Sequence, residues 1–174
     1  LGWYNTGRNW LTRQFALEYA AHFHALLPLL ARLGWPLPLG GTSNFFRREA
    51  LEAVGLWDPC NVTEDADLGF RLAARGYKTD VIAPGTGEEA PERLRPWLAQ
   101  RSRWIKGHAQ TFAVHTRDPQ TLHAATGAAG ALSLSATLGA TVLSALLHAP
   151  SVAMCLVLVA ARPADPLRWA ALGI

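Results

Sequence analysis

Apolar positions follow two different patterns along this chain. Up to Asp118 they alternate with charged residues at helical or strand-like spacing, and beyond it they form an almost uninterrupted run. Charged residues are correspondingly rare after Asp118. They are Arg162, Asp165 and Arg168. The pattern predicts a globular part over 1–118 and a membrane part over 119–174.

A first amphipathic helix is predicted from Trp10 to Leu33. Apolar residues recur there every three to four positions, which is the period of a helix face. They are Leu11, Phe15, Tyr19, Phe23, Leu26 and Leu30. Proline lacks a backbone N–H and crowds the preceding turn, so Pro28 should end or kink this helix. The apolar face suits a protein core or a membrane interface, and both remain open.

Helices alternate with short strands in the rest of the globular part. The predicted strands cover 42–47 and 77–83, and the predicted helices cover 48–54, 64–75 and 88–115. Thr63 can cap the second of these helices, and the third should restart at Pro96. The alternation predicts an α/β layer architecture, of which the chain holds the later elements.

The apolar run from Ala124 to Ala161 contains no Asp, Glu, Lys or Arg. One membrane span needs ~20 apolar residues, so the run exceeds one span. We predict a clear span over 127–147, a break at 148–150, and leave open a second span from 151. Small residues recurring every four positions predict close helix packing. They are Gly127, Ala131, Ser135 and Gly139. A buried helix of a soluble core is the alternative.

Charge and cysteine content narrow the function classes. The net charge of +3 is too small to indicate nucleic-acid binding. The basic residues between Arg93 and Lys106 precede the apolar run, which favours a cytoplasmic flank. Cys60 and Cys155 fall in different parts, so no disulfide is expected. The chain begins at Leu1 without methionine and ends inside an apolar stretch, which predicts a fragment of a longer protein.

The first candidate for chemistry is Thr63-Glu64-Asp65-Ala66-Asp67, at the start of a predicted helix. Acidic residues in a first helical turn interact favourably with the helix dipole, each by ~0.3–1 kcal/mol, and this alone can explain the cluster. The functional alternative is a carboxylate that acts as a general base. That role requires a partly desolvated pocket and acidic neighbours, which raise the carboxyl pKa.

The second candidate is Gln100-Arg101-Ser102-Arg103-Trp104, just before the apolar run. A guanidinium fits a diphosphate, an indole ring stacks on a sugar, and an amide offers both a donor and an acceptor to hydroxyls. Together these groups are typical of a saccharide and pyrophosphate site. The alternative is an amphipathic helix whose Trp packs in a core and whose Arg faces lipid phosphates.

The two sequences together resemble two motifs of the family 2 glycosyltransferases, which include cellulose, hyaluronan and chitin synthases. Thr63-Glu64-Asp65 is similar to the TED motif, and Gln100-Arg101-Ser102-Arg103-Trp104 to the Q-x-x-R-W motif. The resemblance covers nearly the whole chain. It implies an α/β fold: the C-terminal part of a GT-A (nucleotide-diphospho-sugar transferase) fold, followed by amphipathic interface helices and transmembrane helices.

The resemblance implies an inverting transfer of a hexosyl unit from a nucleoside diphosphate sugar to a saccharide acceptor. Asp65 is then the general base, with Thr63, Glu64 and Asp67 as supporting residues. A divalent metal, Mg or Mn, is expected with the nucleotide sugar. Its ligands are expected upstream of this sequence, so no metal ligand is assigned within it.

The resemblance gives the residues of the second motif binding roles. Arg103 would stabilise the diphosphate leaving group, Gln100 and Trp104 would hold the terminal acceptor sugar, and Arg101 belongs to the same acceptor- and diphosphate-binding group. Leu39-Gly40-Gly41 stands where cellulose synthases carry Phe-Cys-Gly, which leaves the acceptor open.

The implied setting is the bacterial inner membrane, in a multi-pass protein whose catalytic part is cytoplasmic. Expected partners are the sugar donor, the saccharide acceptor and the lipid bilayer, with envelope or secretion proteins as further partners and no nucleic acid. One alternative is an inactive membrane receptor, scaffold or secretion component that keeps the fold. Another is a transporter or channel component, which would carry charged residues within its spans.

Overall fold

The computed structural model describes residues 2–82 and 85–160. These residues form two compact units, one up to Val142 and one from Leu143. The part described is helix-rich. Its elements are β1 (Gly2–Trp3), α1 (Trp10–Ala20), α2 (Leu27–Arg32), α3 (Arg48–Ala53), α4 (Glu64–Ala74), β2 (Gly87–Glu88), α5 (Leu94–Thr116), α6 (Pro119–Leu134) and α7 (Ala140–Ala160). Two π-helical segments, Ala21–Leu26 and Ser135–Gly139, join α1 to α2 and α6 to α7.

The first helix begins at a capping box and does not end at Pro28. The Asn9 side chain accepts a hydrogen bond from the Thr12 backbone, and the Thr12 hydroxyl accepts one from the Asn9 backbone. Just before Pro28 the helix widens into the π segment, where the Leu27 N–H donates to the His22 carbonyl five residues earlier. The wider turn accommodates the proline ring, so the helix continues to Arg32.

The strands predicted over 42–47 and 77–83 are wrong where the structure describes them. Residues 42–47 and 77–82 form no strand, and Ala83 lies outside the described residues. The two segments line a cleft of about 580 Å³. A strand requires a neighbour for its backbone hydrogen bonds. The only ladder in the described ranges pairs β1 in parallel with β2, Gly2 opposite Gly87 and Trp3 opposite Glu88.

Helix α4 is the centre of the packing in the first unit. It begins at Glu64 as predicted, and Gly76, with φ +79°, follows its end. Its Ala66 and Phe70 pack against α6, and its Leu68 and Leu72 pack against α3. Each fully buried Leu or Phe contributes ~1.5–3 kcal/mol to stability. Two layers of apolar contact therefore fix the helix that carries the first motif.

Helix α5 begins later than the sequence predicts. Residue 88 belongs to β2, and the helix begins at Leu94. Asn5 holds the intervening segment, because its Nδ2 donates to the Ala90 carbonyl at 2.8 Å and its Oδ1 accepts from the Ala90 N–H at 2.9 Å. Pro96 lies in the first turn, where a missing N–H breaks no helical hydrogen bond.

A single apolar helical stretch, Pro119–Ala160, is the one helix among the described residues long and apolar enough to cross a membrane, with a mean hydropathy of 2.2. Gly127 kinks it with φ +66° and ψ −172°. The break expected at 148–150 is wrong, because Pro150 lies inside α7. The second span left open from 151 extends beyond the described residues, which also exclude Arg162 and Arg168.

The packed face of this stretch differs from the predicted stripe of small residues. The buried positions are Gly130, Ser133, Leu134, Thr137 and Leu138. Of the two glycines in the predicted stripe, Gly127 has nothing within 4 Å of a Cβ position, whereas a Cβ at Gly139 would lie 2.8 Å from the Phe112 ring. Ser133 also donates to the Pro36 carbonyl at 2.6 Å. The face that packs is therefore offset by about one residue and is held by α4 and α5.

Gly69 is expected to be essential for the close approach of α4 to the segment before it. A Cβ at residue 69 would overlap the Leu37 carbonyl oxygen. We therefore expect Gly69→Ala to destabilise the full-length protein by ~1–3 kcal/mol, the usual cost of overpacking, as a lower unfolding midpoint in detergent. Gly7→Ala is the matched control, because nothing lies within 4 Å of a Cβ at residue 7. Equal midpoints for the two variants would contradict this account.

Candidate active site

The loop of the first motif is docked on α5. The Asn61 Nδ2 donates to Thr111 Oγ1 at 2.8 Å, and the Asn61 Oδ1 accepts from the Thr63 N–H at 3.1 Å. Gly107 lies directly against the Thr63 side chain, with no room for a Cβ. Because α5 also carries the second motif one turn earlier, this contact fixes both motifs to one helix.

Thr63 lies at the N-cap position predicted for it, but it does not form the side-chain hydrogen bond usual at that position. It is the N-cap residue of α4, but its side chain makes no capping hydrogen bond. Its hydroxyl instead points to Asn61 Oδ1, at 3.4 Å. The predicted N-cap position of Thr63 is confirmed, but the side-chain capping bond typical of that position does not form, because Asn61 and Gly107 contact the Thr63 side chain.

Asp65 lies in a partly desolvated position beside Gly41. Its Oδ1 accepts a hydrogen bond from the Ala66 N–H at 2.7 Å, and a Cβ at Gly41 would lie 3.2 Å from its Oδ2. Burial raises the pKa of Asp65, the Ala66 N–H opposes this, and the charge of Glu64 adds to it. The direction is the one that a carboxylate needs to accept a proton.

Asp67 points away from Asp65 and forms a buried ionic network. Its Oδ2 accepts from Arg71 Nε at 2.6 Å, and its Oδ1 pairs with His115 Nε2 at 2.8 Å. Burial alone would raise the pKa of Asp67, but the bonds to His115 and Arg71 outweigh it and hold the pKa below its ordinary value. The structure does not bring Asp67 together with Asp65, although the two are only two positions apart in the motif.

Arg71 extends this network to the preceding helix. Its Nη1 donates to the carbonyls of Val54 and Leu56 at 2.6 and 2.7 Å. The network therefore joins the end of α3, α4 and the last turns of α5. Asp67, which the resemblance makes a supporting residue, therefore joins three helices, and the sequence did not predict these contacts.

The second motif faces an aromatic ladder on the first helix. Phe15, Tyr19 and Phe23 stack along α1 and the π segment, with ring centroids 4.4 and 5.4 Å apart. Trp104 lies tilted against the first two of these rings, at 6.5 and 5.8 Å. The spacing of four residues on each helix made these faces predictable, whereas their pairing is a long-range contact.

The two arginines of the motif have different surroundings. Arg101 forms a bidentate ion pair with Glu18 of α1, and its guanidinium carbon lies 5.1–5.5 Å from three ring centroids. Those rings are Phe15, Trp97 and Trp104. Arg103 is exposed. Arg101 therefore orients Trp104 and joins α5 to α1, while the Arg103 guanidinium faces outwards and can reach a ligand.

Tyr19 connects the two motifs and was not identified from the sequence as a site residue. Its ring contacts Trp104, and the charge of Asp65 acts on its hydroxyl. Burial raises the pKa of Tyr19, the nearby Arg101 lowers it, and acidic neighbours including Asp65 raise it further. Tyr19 therefore stays a neutral hydroxyl between the candidate base and the candidate sugar platform. The sequence did not identify Tyr19 as a site residue, because an aromatic residue repeated every four positions also predicts a helix face packed in a core.

The residues that the structure describes do not form a metal site by themselves. Among the described residues, no three His, Cys, Asp or Glu side chains come together as a ligand set. Asp67 is also committed to Arg71 and His115. We therefore derive no step through a metal ion, and the expectation of Mg or Mn ligands outside this sequence stays a prediction.

Comparison with known proteins gives one family. The family model described as "Glycosyl transferase family group 2" matches residues 2–164. No solved structure matches the chain.

Several curated proteins are similar to parts of the chain. A UDP-forming cellulose synthase catalytic subunit of Komagataeibacter sucrofermentans is 39% identical over 75 residues, which are 42% of this chain and 10% of that protein. A beta-monoglucosyldiacylglycerol synthase of Synechocystis is 31% identical over 116 residues, 65% of this chain and 24% of that protein. The UDP-forming cellulose synthase catalytic subunit of Xanthomonas axonopodis is 42% identical over 71 residues, 40% of this chain and 10% of that protein. The chain thus spans at most about a quarter of these relatives.

Removing the Asp67 carboxylate is expected to lower stability. Asp67→Asn leaves Arg71 and His115 without their anion, which costs roughly 3–5 kcal/mol for a fully buried pair and less here, because 24% of the Arg71 side chain is exposed. Glu52→Gln is the matched control, since it removes the acid of the i,i+4 ion pair between Arg48 and Glu52. The Arg48 side chain is 85% exposed and the Glu52 side chain 55% exposed. Such exposed pairs contribute little.

The difference in stability between wild type and Asp67→Asn should become smaller as the pH falls. The folded pKa of Asp67 is lowered from 3.8, so its stabilisation is present above that value and is lost as pH falls through the folded pKa. Unfolding midpoints of wild type and Asp67→Asn should therefore converge on acidification. A constant gap between them down to the acid limit of folding would contradict the assignment.

Substitution of Arg101 and substitution of Arg103 should have different effects on the stability of the protein. Arg101→Ala removes one ion pair and three cation–π contacts, each of the latter worth ~0.5–1 kcal/mol where partly exposed, so we expect a clear fall in the unfolding midpoint. Arg103→Ala removes an exposed side chain and should stay within about ±0.5 kcal/mol of wild type. Equal losses from both substitutions would show that the contacts of Arg101 carry no special weight.

Proposed function

This chain belongs to the glycosyl transferase family group 2, and we propose that it is the acceptor-side part of an inverting, membrane-embedded enzyme that transfers a hexosyl unit. The donor is a nucleoside diphosphate sugar, and the acceptor is a saccharide hydroxyl. The observation that carries the proposal is the environment of Asp65. Its carboxylate is partly desolvated, has a raised pKa and is fixed to the helix that bears Trp104.

Asp65 acts as the general base in this proposal. It accepts the proton of the acceptor hydroxyl while the hydroxyl oxygen bonds to the anomeric carbon of the donor. The bond from that carbon to the diphosphate oxygen breaks, and the nucleoside diphosphate leaves with the electron pair. Gly41 supports this role, because the absence of a side chain there leaves one oxygen of Asp65 open to a substrate.

The second motif binds the two substrates. Arg103 is exposed and stabilises the charge that develops on the leaving diphosphate, a contribution that is often large in transfer reactions. Trp104 and Gln100 hold the terminal acceptor sugar, by ring contact and by amide hydrogen bonds. Arg101 acts through Trp104, whose ring it faces at 5.1 Å, and does not itself contact the diphosphate.

The donor is a UDP-sugar, and UDP-glucose is the first to test. Two of the relatives are named as UDP-forming cellulose synthase subunits. A divalent metal held by residues outside this sequence assists the nucleotide. A lipid acceptor, diacylglycerol, is the second candidate, because the relative covering 65% of this chain is a monoglucosyldiacylglycerol synthase.

The enzyme is a multi-pass protein of the bacterial inner membrane, with its catalytic part in the cytoplasm. We assign the membrane-crossing segment to α7 rather than to 127–147. None of its residues is buried in the structure, and its 21 residues span ~31 Å, close to the thickness of a bilayer core. Residues 130–138 pack instead on α4 and α5.

An inactive receptor, scaffold or secretion component with the same fold remains the competing function, and envelope proteins would be its partners. The raised pKa of Asp65 and its position beside Gly41 would have no function in such a protein. Loss of metal-binding aspartates elsewhere in the full-length protein would favour it.

The decisive test is UDP release from UDP-glucose and other UDP-sugars by the full-length, membrane-inserted protein. Asp65→Asn should lower the turnover by ~10²–10⁴-fold, because general base catalysis contributes about that factor. Asp80→Asn is the matched control, since Asp80 is exposed and accepts the same type of hydrogen bond, from the Val81 N–H at 2.7 Å. It should leave turnover unchanged.

The pH profile gives an independent check. Only the ionised Asp65 can accept a proton, and its pKa is raised from 3.8, so the acid limb of the activity should lie above that value. No UDP release by folded wild-type protein, with any donor and with divalent metal added, would support the scaffold function instead.

A further inference from the structure

Three residues of α5 lie in one line along the helix. Gln100, Trp104 and His108 are spaced by four, so each is about 6 Å further along the axis than the one before. Two of them end in buried polar atoms, Gln100 Oε1 and His108 Nδ1, that find no hydrogen-bond partner within the described ranges. Buried polar atoms are nearly always paired, because an unpaired one is costly. A polar ligand on both sides of Trp104 would satisfy them.

His108 is suited to an uncharged ligand. Burial lowers its pKa to about 4, and the charge of His22 acts in the same direction. The imidazole is therefore neutral at physiological pH, with one nitrogen that donates and one that accepts. A hydroxyl group can match either nitrogen, whereas a phosphate would favour a charged ring.

The first helix supplies the opposite side of this position. His22 lies in the π segment, and burial lowers its pKa as well, against the charge of Glu18. Its ring meets Phe23 edge-on at 4.9 Å, and a Cβ at Gly40 would lie 2.9 Å from the Phe23 ring. His22 is thus a near neighbour of His108, and it lies beside the Phe23 ring, which in turn lies against the Gly40 backbone. Such a lining suits a sugar, which presents hydroxyls at its edge and C–H groups on its faces.

We propose that His108 binds a hydroxyl of the second sugar unit of the acceptor, one helical turn beyond the terminal sugar at Trp104 and on the α6 side. The inference rests on the proposed function and makes its acceptor site two units long. Gln100 holds the terminal unit at the near end, and His108 holds the preceding unit at the far end. His108 then determines whether the enzyme prefers a disaccharide to a monosaccharide acceptor.

The test uses the full-length membrane-inserted protein, with UDP-glucose as donor and cellobiose or glucose as acceptor probe. His108→Leu should raise the KM for cellobiose about tenfold, the loss expected for one good hydrogen bond. The KM values for glucose and for UDP-glucose should not change. His108→Asn keeps a donor and an acceptor and should restore most of the affinity. His123→Leu is the matched control, because His123 is exposed on α6.

Binding measured without turnover separates this inference from the proposed function. Cellobiose should raise the unfolding midpoint of wild type and His108→Asn but not of His108→Leu. If that pattern holds in protein that releases no UDP, the saccharide site at His108 stands and the transferase function fails. An unchanged cellobiose KM and midpoint shift in His108→Leu would overturn the inference, as would parallel losses for both acceptors and the donor. Transfer to diacylglycerol by a protein that does not bind cellobiose would also overturn the inference.

Discussion

The close contact between Gly107 and Thr63 is the constraint on which the rest of the site depends. It allows α5 to approach the loop of the first motif more closely than any side chain would permit. The bond from Asn61 to Thr111, at 2.8 Å, fixes the approach one turn later. Asp65 follows this loop, and Trp104 precedes the contact by about one turn. The distance between candidate base and candidate sugar platform is therefore set by backbone packing rather than by flexible side chains.

Two kinds of support surround this contact. On one side, the network of Asp67, Arg71 and His115 joins α4 to α5 through the hydrogen bond between Asp67 and His115. On the other, Arg101 joins α5 to α1 through Glu18 and the aromatic rings. Buried charges without partners are expensive, so both networks penalise alternative packings of the same helices. The site itself stays less fully paired, and unpaired polar atoms at a fixed place favour ligand binding over stability.

The sequence predicted the helices well where local signals defined them. Helices α3 and α4 end at Ala53 and Ala74, and the glycine two residues beyond each end, Gly55 or Gly76, has a positive φ. The segments 42–47 and 77–82 have strand composition but no strand, because pairing depends on distant residues and not on local preference. The same reason hid the pairing of Glu18 with Arg101, separated by 83 positions. The assignment of site residues from the TED and Q-x-x-R-W motifs stays a prediction. The packing adds the contacts of Asp67 with Arg71 and His115 and of Arg101 with Glu18, which the sequence did not predict.

The π segment before Pro28 also sets the angular register of the first helix. One extra residue in a turn rotates everything that follows by about 100° around the helix axis. The rings of Phe15 and Tyr19 before the segment can therefore face Trp104 of α5, while Leu27 and Leu30 after it are buried at a different angle. Deleting one residue within 21–26 would restore regular α-helix and turn these two faces relative to each other. The stretch from α1 through the π segment to α2 thus presents two faces at angles that a regular α-helix of the same sequence would not give.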